Sequence, residues 1–322
     1  MKRAQLRRSR RRGRPTTEPT LQRPEDLDHF TARLALAASA HLALRPPSIW
    51  PFLIGPLALT LVGGCATLPA PDELQAILRP HDAVYRPPGV GRFPAVVLLH
   101  GCAGVRRKDM QWAEAFRDQG YVALVVDSLS GRGITTREDR RKICAGRDLW
   151  GSTRAGDLLA SLAYVRTLPF VDPERIAVVG WSHGAWAALD FLASASTDMV
   201  RGLRAVVAFY PYCGAVSRAH WRGFRVDVPV LMLLAEADTM VSPASCLKLA
   251  EAQAERGRSV TTKVYPEVGH VFDWLESPAT LDARERVRAF LAERFCHGCR
   301  AAGSDRGWRP AGTTWPRFPK AD

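Results

Sequence analysis

The chain has 322 residues, 47% of them hydrophobic, which suits one large domain with appendages or two small domains. Its formal net charge of +13 lies mostly at the ends: residues 1–48 carry a net +7 and residues 300–322 a net +3, which leaves +3 for everything between. A nearly neutral body with basic ends excludes a nucleic-acid role founded on the charge of the body, and it leaves the chemistry of the ligand open.

In chain order, residues 1–14 (MKRAQLRRSRRRGR) come first. No aromatic residue interleaves with those arginines and nothing downstream resembles a nucleic-acid module. Residues 1–48 therefore read as a basic leader, disordered or absent from the mature protein, with no nucleic-acid partner. Residues 46–71 contain no charged side chain, and their apolar part, 49–64, is short for a membrane span and interrupted by Pro51 and Pro56. It reads as a secretory apolar region. Its end, Leu61-Val-Gly-Gly-Cys65, resembles a bacterial lipobox, in which small residues precede a cysteine that is lipidated and becomes the mature N-terminus. The segment 49–65 thus predicts export to the periplasm and a membrane anchor at Cys65. A translation start near Leu42 or Leu44, with Arg45 as the leading charge, fits this better than a long leader, and an uncleaved signal anchor is the alternative.

Beyond Cys65 there are six cysteines, and an even number in an exported chain predicts disulfides. Six cysteines allow fifteen connectivities, and the one chosen as the expectation is Cys102–Cys144, Cys213–Cys246 and, at the end, Cys296–Cys299. Cys296-His-Gly-Cys299 supplies one half of a zinc site and no second half, so no metal is expected.

From residue 95 to 295 apolar runs and helical stretches alternate. Residues 95–100 (AVVLLH) read as a buried strand and 109–119 as a helix with Trp112, Ala115 and Phe116 on one face. Residues 121–127 read as the next strand, 129–146 as a glycine-rich charged loop, and 148–168 as a long helix. Asp172-Pro173 marks a turn. Residues 175–181 form a strand and 185–193 a helix. Residues 205–210 and 228–234 are two more strands. Ser242-Pro243 opens a helix with Ser as cap and Pro at the first position. Residues 259–265 are the last strand and 280–295 the last helix, and 300–322 reads as a disordered tail. Repeated strand–helix units with apolar strands predict an α/β domain over 72–299, with a mostly parallel sheet covered by helices on both faces.

Gly180-Trp181-Ser182-His183-Gly184 is a G-x-S-x-G elbow between a predicted strand and a predicted helix, the position from which a serine oxygen is presented at a sheet's edge. His270, in the loop after the last strand, is placed to take the serine proton, and Asp238, at the end of Leu231-Met-Leu-Leu-Ala-Glu-Ala-Asp238, to orient that histidine. Glu236 and Asp273 are rival acids. His100, His183, His220 and His297 are weaker bases by position, and His29, His41 and His81 precede the sheet. The chain order Ser182, Asp238, His270 is that of α/β-hydrolases. His100-Gly101-Cys102 follows the first strand, so the backbone N–H groups of Cys102 and His183 are the candidates for holding an oxyanion. Cys102 reads as half of a disulfide that stiffens this loop rather than as a reactive thiol.

Residues 85–295 resemble the dienelactone hydrolase family. The matching pieces are Tyr85-Arg-Pro-Pro, Phe93-Pro-Ala-Val-Val-Leu-Leu-His-Gly101, Asp127-Ser-Leu-Ser-Gly-Arg-Gly133, Arg175-Ile-Ala-Val-Val-Gly-Trp-Ser-His-Gly184, Phe209-Tyr-Pro211, Ala235-Glu-Ala-Asp238 and Tyr265-Pro-Glu-Val-Gly-His-Val-Phe-Asp273. The resemblance implies an α/β-hydrolase fold, hydrolysis of small esters or lactones, no cofactor, and a triad at Ser182, Asp238 and His270. Namesake enzymes carry a cysteine nucleophile and a glutamate in the oxyanion turn, where this chain has Ser182 and Gly101. A serine esterase or lactonase is therefore expected rather than a dienelactone hydrolase proper. Arg132 and Arg147 are either ligands for a substrate carboxylate or surface arginines. The alternatives are a serine peptidase of the prolyl-oligopeptidase kind and a non-catalytic binding lipoprotein on the same scaffold.

Overall fold

The computed structural model describes residues 71–296. The leader 1–48, the segment 49–65 with Cys65, Cys299 and the tail 300–322 lie outside the described residues.

Seven strands form one sheet in the order β1-β3-β2-β4-β5-β6-β7. They are β1 (Ala83–Tyr85), β2 (Phe93–Leu99), β3 (Val122–Val126), β4 (Val171–Trp181), β5 (Leu203–Phe209), β6 (Val230–Ala235) and β7 (Val260–Tyr265). Every pairing is parallel except β1 with β3. Central strands of a parallel sheet are buried on both faces, which is why they read as unbroken apolar runs. Their side chains still alternate. Val97, Leu99, Val178 and Ala208 face the core shared with α1 (Pro71–Leu78), α4 (Gly151–Thr167), α5 (His183–Leu192) and α7 (Pro243–Glu255). Val96, Leu98, Val179 and Val207 face the core shared with α2 (Arg107–Asp118) and α8 (Pro278–Phe295). The single sheet between two helical layers is the α/β-hydrolase architecture expected from the sequence.

The helix starts follow local chemistry. Ser242 Oγ accepts from the N–H of Ser245 ahead of α7, Ser277 Oγ accepts from the N–H of Thr280 ahead of α8, and each helix has proline in its first turn.

The stretch 129–146 differs from expectation. It holds a 3-10 turn (Ser130–Arg132) and the helix α3 (Arg137–Cys144) instead of an open loop. Only Ile143 of α3 is buried, so no apolar period announces the helix. It is held by ends and pairs: Thr136 Oγ caps the N–H of Asp139, and Glu138–Arg141 and Asp139–Lys142 pair along its surface. The predicted turn at Asp172-Pro173 falls inside the span of β4. Val171 pairs with Phe93 and Ile176 with Ala95, so the turn is an excursion between two ladder contacts, with Asp172 Oδ1 accepting from the N–H of Glu174. Helix α1, strand β1 and the short helix α6 (Arg218–Arg222) were not anticipated.

Candidate active site

Ser182 stands between β4 and α5 with φ +52°, a conformation a serine adopts only under constraint. The constraint is close packing. A Cβ at Gly180 would lie 2.7 Å from the backbone N of Ala185, and one at Gly184 would overlap the carbonyl oxygen of Leu99. Only glycine on both sides lets α5 press against the sheet at this point. The N–H of Ser182 is fixed by the carbonyl of Phe209 at 2.9 Å.

The structure brings Ser182, His270 and Asp238 together. Ser182 Oγ is 2.8 Å from His270 Nε2, and His270 Nδ1 is 2.7 Å from Asp238 Oδ2. With Nδ1–H donating to the carboxylate, Nε2 is free to accept from the serine hydroxyl. The other oxygen of Asp238 accepts from the N–H groups of Met240 (2.9 Å) and Val241 (3.0 Å), which fixes the carboxylate in the turn after β6. That turn is tied to the histidine loop by the N–H of Ala237 on the carbonyl of Val268. The imidazole and the carboxyl are 7% and 1% exposed, so their mutual attraction is little screened by water.

The rival acids are elsewhere. Glu236 is exposed. Asp273 is buried beneath the histidine loop, where Oδ2 accepts from Trp181 Nε1 (2.9 Å) and Lys108 Nζ (3.2 Å) and Oδ1 from the Tyr210 hydroxyl. Tyr210 in turn lies against the ring of His270, with centroids 4.6 Å apart. One carboxylate thus ties α2, the end of β4, the end of β5 and the histidine loop into a single support for the base. Two of the rival bases, His100 and His183, are spoken for as well. His100 Nε2 accepts from the N–H of Ser128 and its Nδ1–H donates to the carbonyl of Gly101. Burial and then the Arg154 charge push its pKa down to about 3. His183 Nδ1 accepts from Arg154, and burial followed by the Arg154 charge holds it well below the usual imidazole range.

The turn 100–104 lies against the serine: a Cβ built on Gly101 would be 3.8 Å from that of Ser182. Among the described residues the N–H groups of Cys102 and His183 donate to no protein acceptor. Behind them sits Arg154 of α4, fully buried. Its Nη1 donates to the carbonyl of His100 (2.9 Å) and to His183 Nδ1 (3.1 Å), and its Nε to Ser128 Oγ (3.0 Å). Burial lowers its pKa to about 10, so the guanidinium remains charged at neutral pH. The nearby carboxylate of Asp157 is occupied by a two-pronged bond from Arg132. That pairing corrects one expectation: Arg132 is turned inward onto Asp157 and the carbonyl of Ser128, not toward a ligand. Arg147 is exposed and lines no part of the cavity beside Ser182.

That cavity has a volume of about 340 Å³ and is lined by Ser182 and His183, by Cys102 and residues 143–146, and by Trp186, Tyr212, Val216, Met240 and Val241. The Cys102–Cys144 disulfide is part of the wall and Cys213–Cys246 braces the segment behind Tyr212, the two pairs expected. Cys296 ends α8, and its expected partner Cys299 is outside the described residues. Among the described residues no group of three or more His, Cys, Asp or Glu is placed to hold a metal. Sequence reading missed Lys108, Arg154 and Tyr210. For Arg154 a signal existed: it falls on the same helical stripe as the buried Leu158 and Leu162.

Residues 82–295 match the profile described as the Dienelactone hydrolase family. A protein of Synechocystis sp. provisionally named carboxymethylenebutenolidase is 30% identical over 106 residues, 31% of this chain and 43% of that protein. The quorum-quenching protein AidA of Acinetobacter baumannii is 31% identical over 135 residues, 42% of this chain and 40% of that one. The chain thus spans less than half the length of these two curated relatives. Among solved structures, a provisionally named dienelactone hydrolase of Klebsiella pneumoniae superposes with a TM-score of 0.55 at 18% identity, over 66% of this chain and 92% of that one. Esterase 2 of Thermogutta terrifontis phosphorylated by paraoxon gives 0.52 at 19%, over 66% and 88%.

Proposed function

The chain belongs to the dienelactone hydrolase family, and we propose that it is a serine hydrolase cleaving small carboxylic esters or lactones through an acyl-enzyme. The observation that carries this reading is the hydrogen-bonded line Ser182 Oγ to His270 Nε2 (2.8 Å) and His270 Nδ1 to Asp238 (2.7 Å) at one edge of a parallel sheet. Ser182 Oγ bonds to the substrate carbonyl carbon while its proton passes to His270 Nε2. Asp238 holds the Nδ1–H and stabilises the imidazolium so formed. The charge developing on the carbonyl oxygen is met by the N–H groups of Cys102 and His183 and by the N-terminal end of α5. The bond to the leaving oxygen then breaks, and His270 gives its proton to that oxygen. Water attacks the acyl carbon, its proton passes through His270 to Ser182 Oγ, and the acid leaves.

Serine in place of the namesakes' cysteine, and Gly101 in place of their glutamate, favour general esters over dienelactone itself. The test is Ser182→Ala. It is expected to lower kcat/KM on p-nitrophenyl butyrate by at least about 10⁴-fold and to abolish labelling by a fluorophosphonate, with the melting temperature retained. Activity surviving in that variant would defeat the reading. Peptide p-nitroanilides run beside the ester separate the peptidase alternative.

A further inference from the structure

The cavity beside Ser182 has a side and a chemistry. In acyl transfer the leaving oxygen must come to Nε2 of His270, because that atom protonates it. His270 is not among the residues that wall the cavity, whereas Cys102 and His183, whose N–H groups face the carbonyl oxygen in the proposed cycle, are. On that ground the cavity is assigned to the acyl side of the scissile bond.

Its walls carry no lysine, arginine, aspartate or glutamate. Ile143, Val216, Val241 and the Cys102–Cys144 sulfurs offer only apolar surface, and the indole N–H of Trp186 is already given to Asp190 at 3.0 Å. Two cations packed behind the site are engaged elsewhere. Arg132 is paired on both prongs with Asp157, and Arg154 is buried behind the His183 ring, which it holds by hydrogen bond. A carboxylate drawn into such a space gives up part of its water and meets no cationic side chain in the lining.

Resting on the serine-hydrolase reading above, we propose that the acyl pocket selects an uncharged hydrocarbon acyl chain and discriminates against acyl groups that carry a carboxylate. The discriminating residues belong to the apolar lining, with Val216 its exposed member, rather than to the triad.

The experiment compares p-nitrophenyl hexanoate with mono-p-nitrophenyl adipate on the full protein. Both have the same leaving group and an acyl chain of the same length, and the rate with Ser182→Ala is subtracted as background. Wild type is expected to show kcat/KM at least about 100-fold lower for the adipate. Val216→Arg, which sets a guanidinium at an exposed position of the lining, is expected to narrow that ratio at least about tenfold. Equal use of both esters by wild type, with Ser182 labelled by a fluorophosphonate, overturns the selectivity and leaves the hydrolase reading standing. If neither ester is cleaved and Ser182 takes no label, the hydrolase reading falls and the inference with it.

Discussion

Arg154 is the residue whose position asks most of the protein. A guanidinium with no exposed surface is costly to bury, and its Nη2 has no hydrogen-bond partner among the described residues. Its bonded atoms nevertheless reach both arms of the proposed oxyanion site: the carbonyl of His100, two residues before Cys102, and the ring of His183. It touches no reacting atom of the proposed cycle, so it is a positioning residue that would also set a positive charge behind the place where that cycle develops negative charge. Arg154→Met is expected to lower kcat about 10- to 100-fold with KM nearly unchanged. It should also weaken inhibition by an alkyl trifluoromethyl ketone, which presents the tetrahedral oxyanion, by a similar factor. Arg154→Lys keeps the charge but not the fork and should fall between. A Met variant that lost stability but kept kcat and the ketone affinity would reduce Arg154 to a packing element.

Helix α3 shows how an element can be functional and barely self-sustaining. It has eight residues, too few to be stable alone, and one buried side chain. Its hold on the body is the Cys144–Cys102 bond together with Ile143, packed among Leu129 and Leu149, and the same bond stiffens the turn that carries one proposed oxyanion N–H while the last turn of the helix lines the cavity. Replacing both cysteines by serine removes a link that closes 42 residues, worth about 4 kcal/mol by chain entropy. Amide hydrogen exchange over 137–144 should accelerate sharply, while exchange in the buried helix α4 should follow only the global loss of stability. Unchanged protection in α3 would show that its cap and surface pairs suffice without the bond. The same helix marks the limit of what the sequence makes legible. The elbow and the proposed acid and base are readable because each follows an apolar strand, where chain order and type suffice. That disulfides exist could be inferred from the even cysteine count, but six cysteines allow fifteen connectivities, and the pairs Cys102–Cys144 and Cys213–Cys246 are fixed only by the fold. Helix α3 is opaque because its stability lies in charge pairs and a distant sulfur rather than in a stripe. Lys108, Tyr210 and Asp273 are opaque as a group because their meeting depends on how four elements pack.

For the molecule as a whole, the pH dependence of stability is set by buried groups of opposite tendency. His100 is neutral in the fold with its pKa near 3, so its contribution is present above the ordinary imidazole value of 6.5 and is lost as pH falls from there toward 3. Asp82 pulls the other way. It lies at the entry to β1, with Oδ1 accepting from the N–H of Asp127 at 2.9 Å. Burial first, and then the negative charges of Asp127 and Asp157, outweigh that hydrogen bond and raise its pKa from 3.8 to about 7. Below pH 3.8 folded and unfolded chains both hold this proton. Between 3.8 and 7 the unfolded chain releases it and the folded one keeps it, so stability falls as pH rises, by up to about 4 kcal/mol, and is level above 7. The two tendencies overlap in wild type, so a single melting curve against pH would hide both. The difference between wild type and Asp82→Asn isolates one, because an amide oxygen can still accept from Asp127 while carrying no charge at any pH. The variant should match wild type near pH 4, gain on it steadily to about pH 7, and keep a constant advantage above. A difference that stayed flat across that range would mean that Asp82 is ionised in the fold throughout, and that the edge of the sheet beside β1 admits enough water to keep it so.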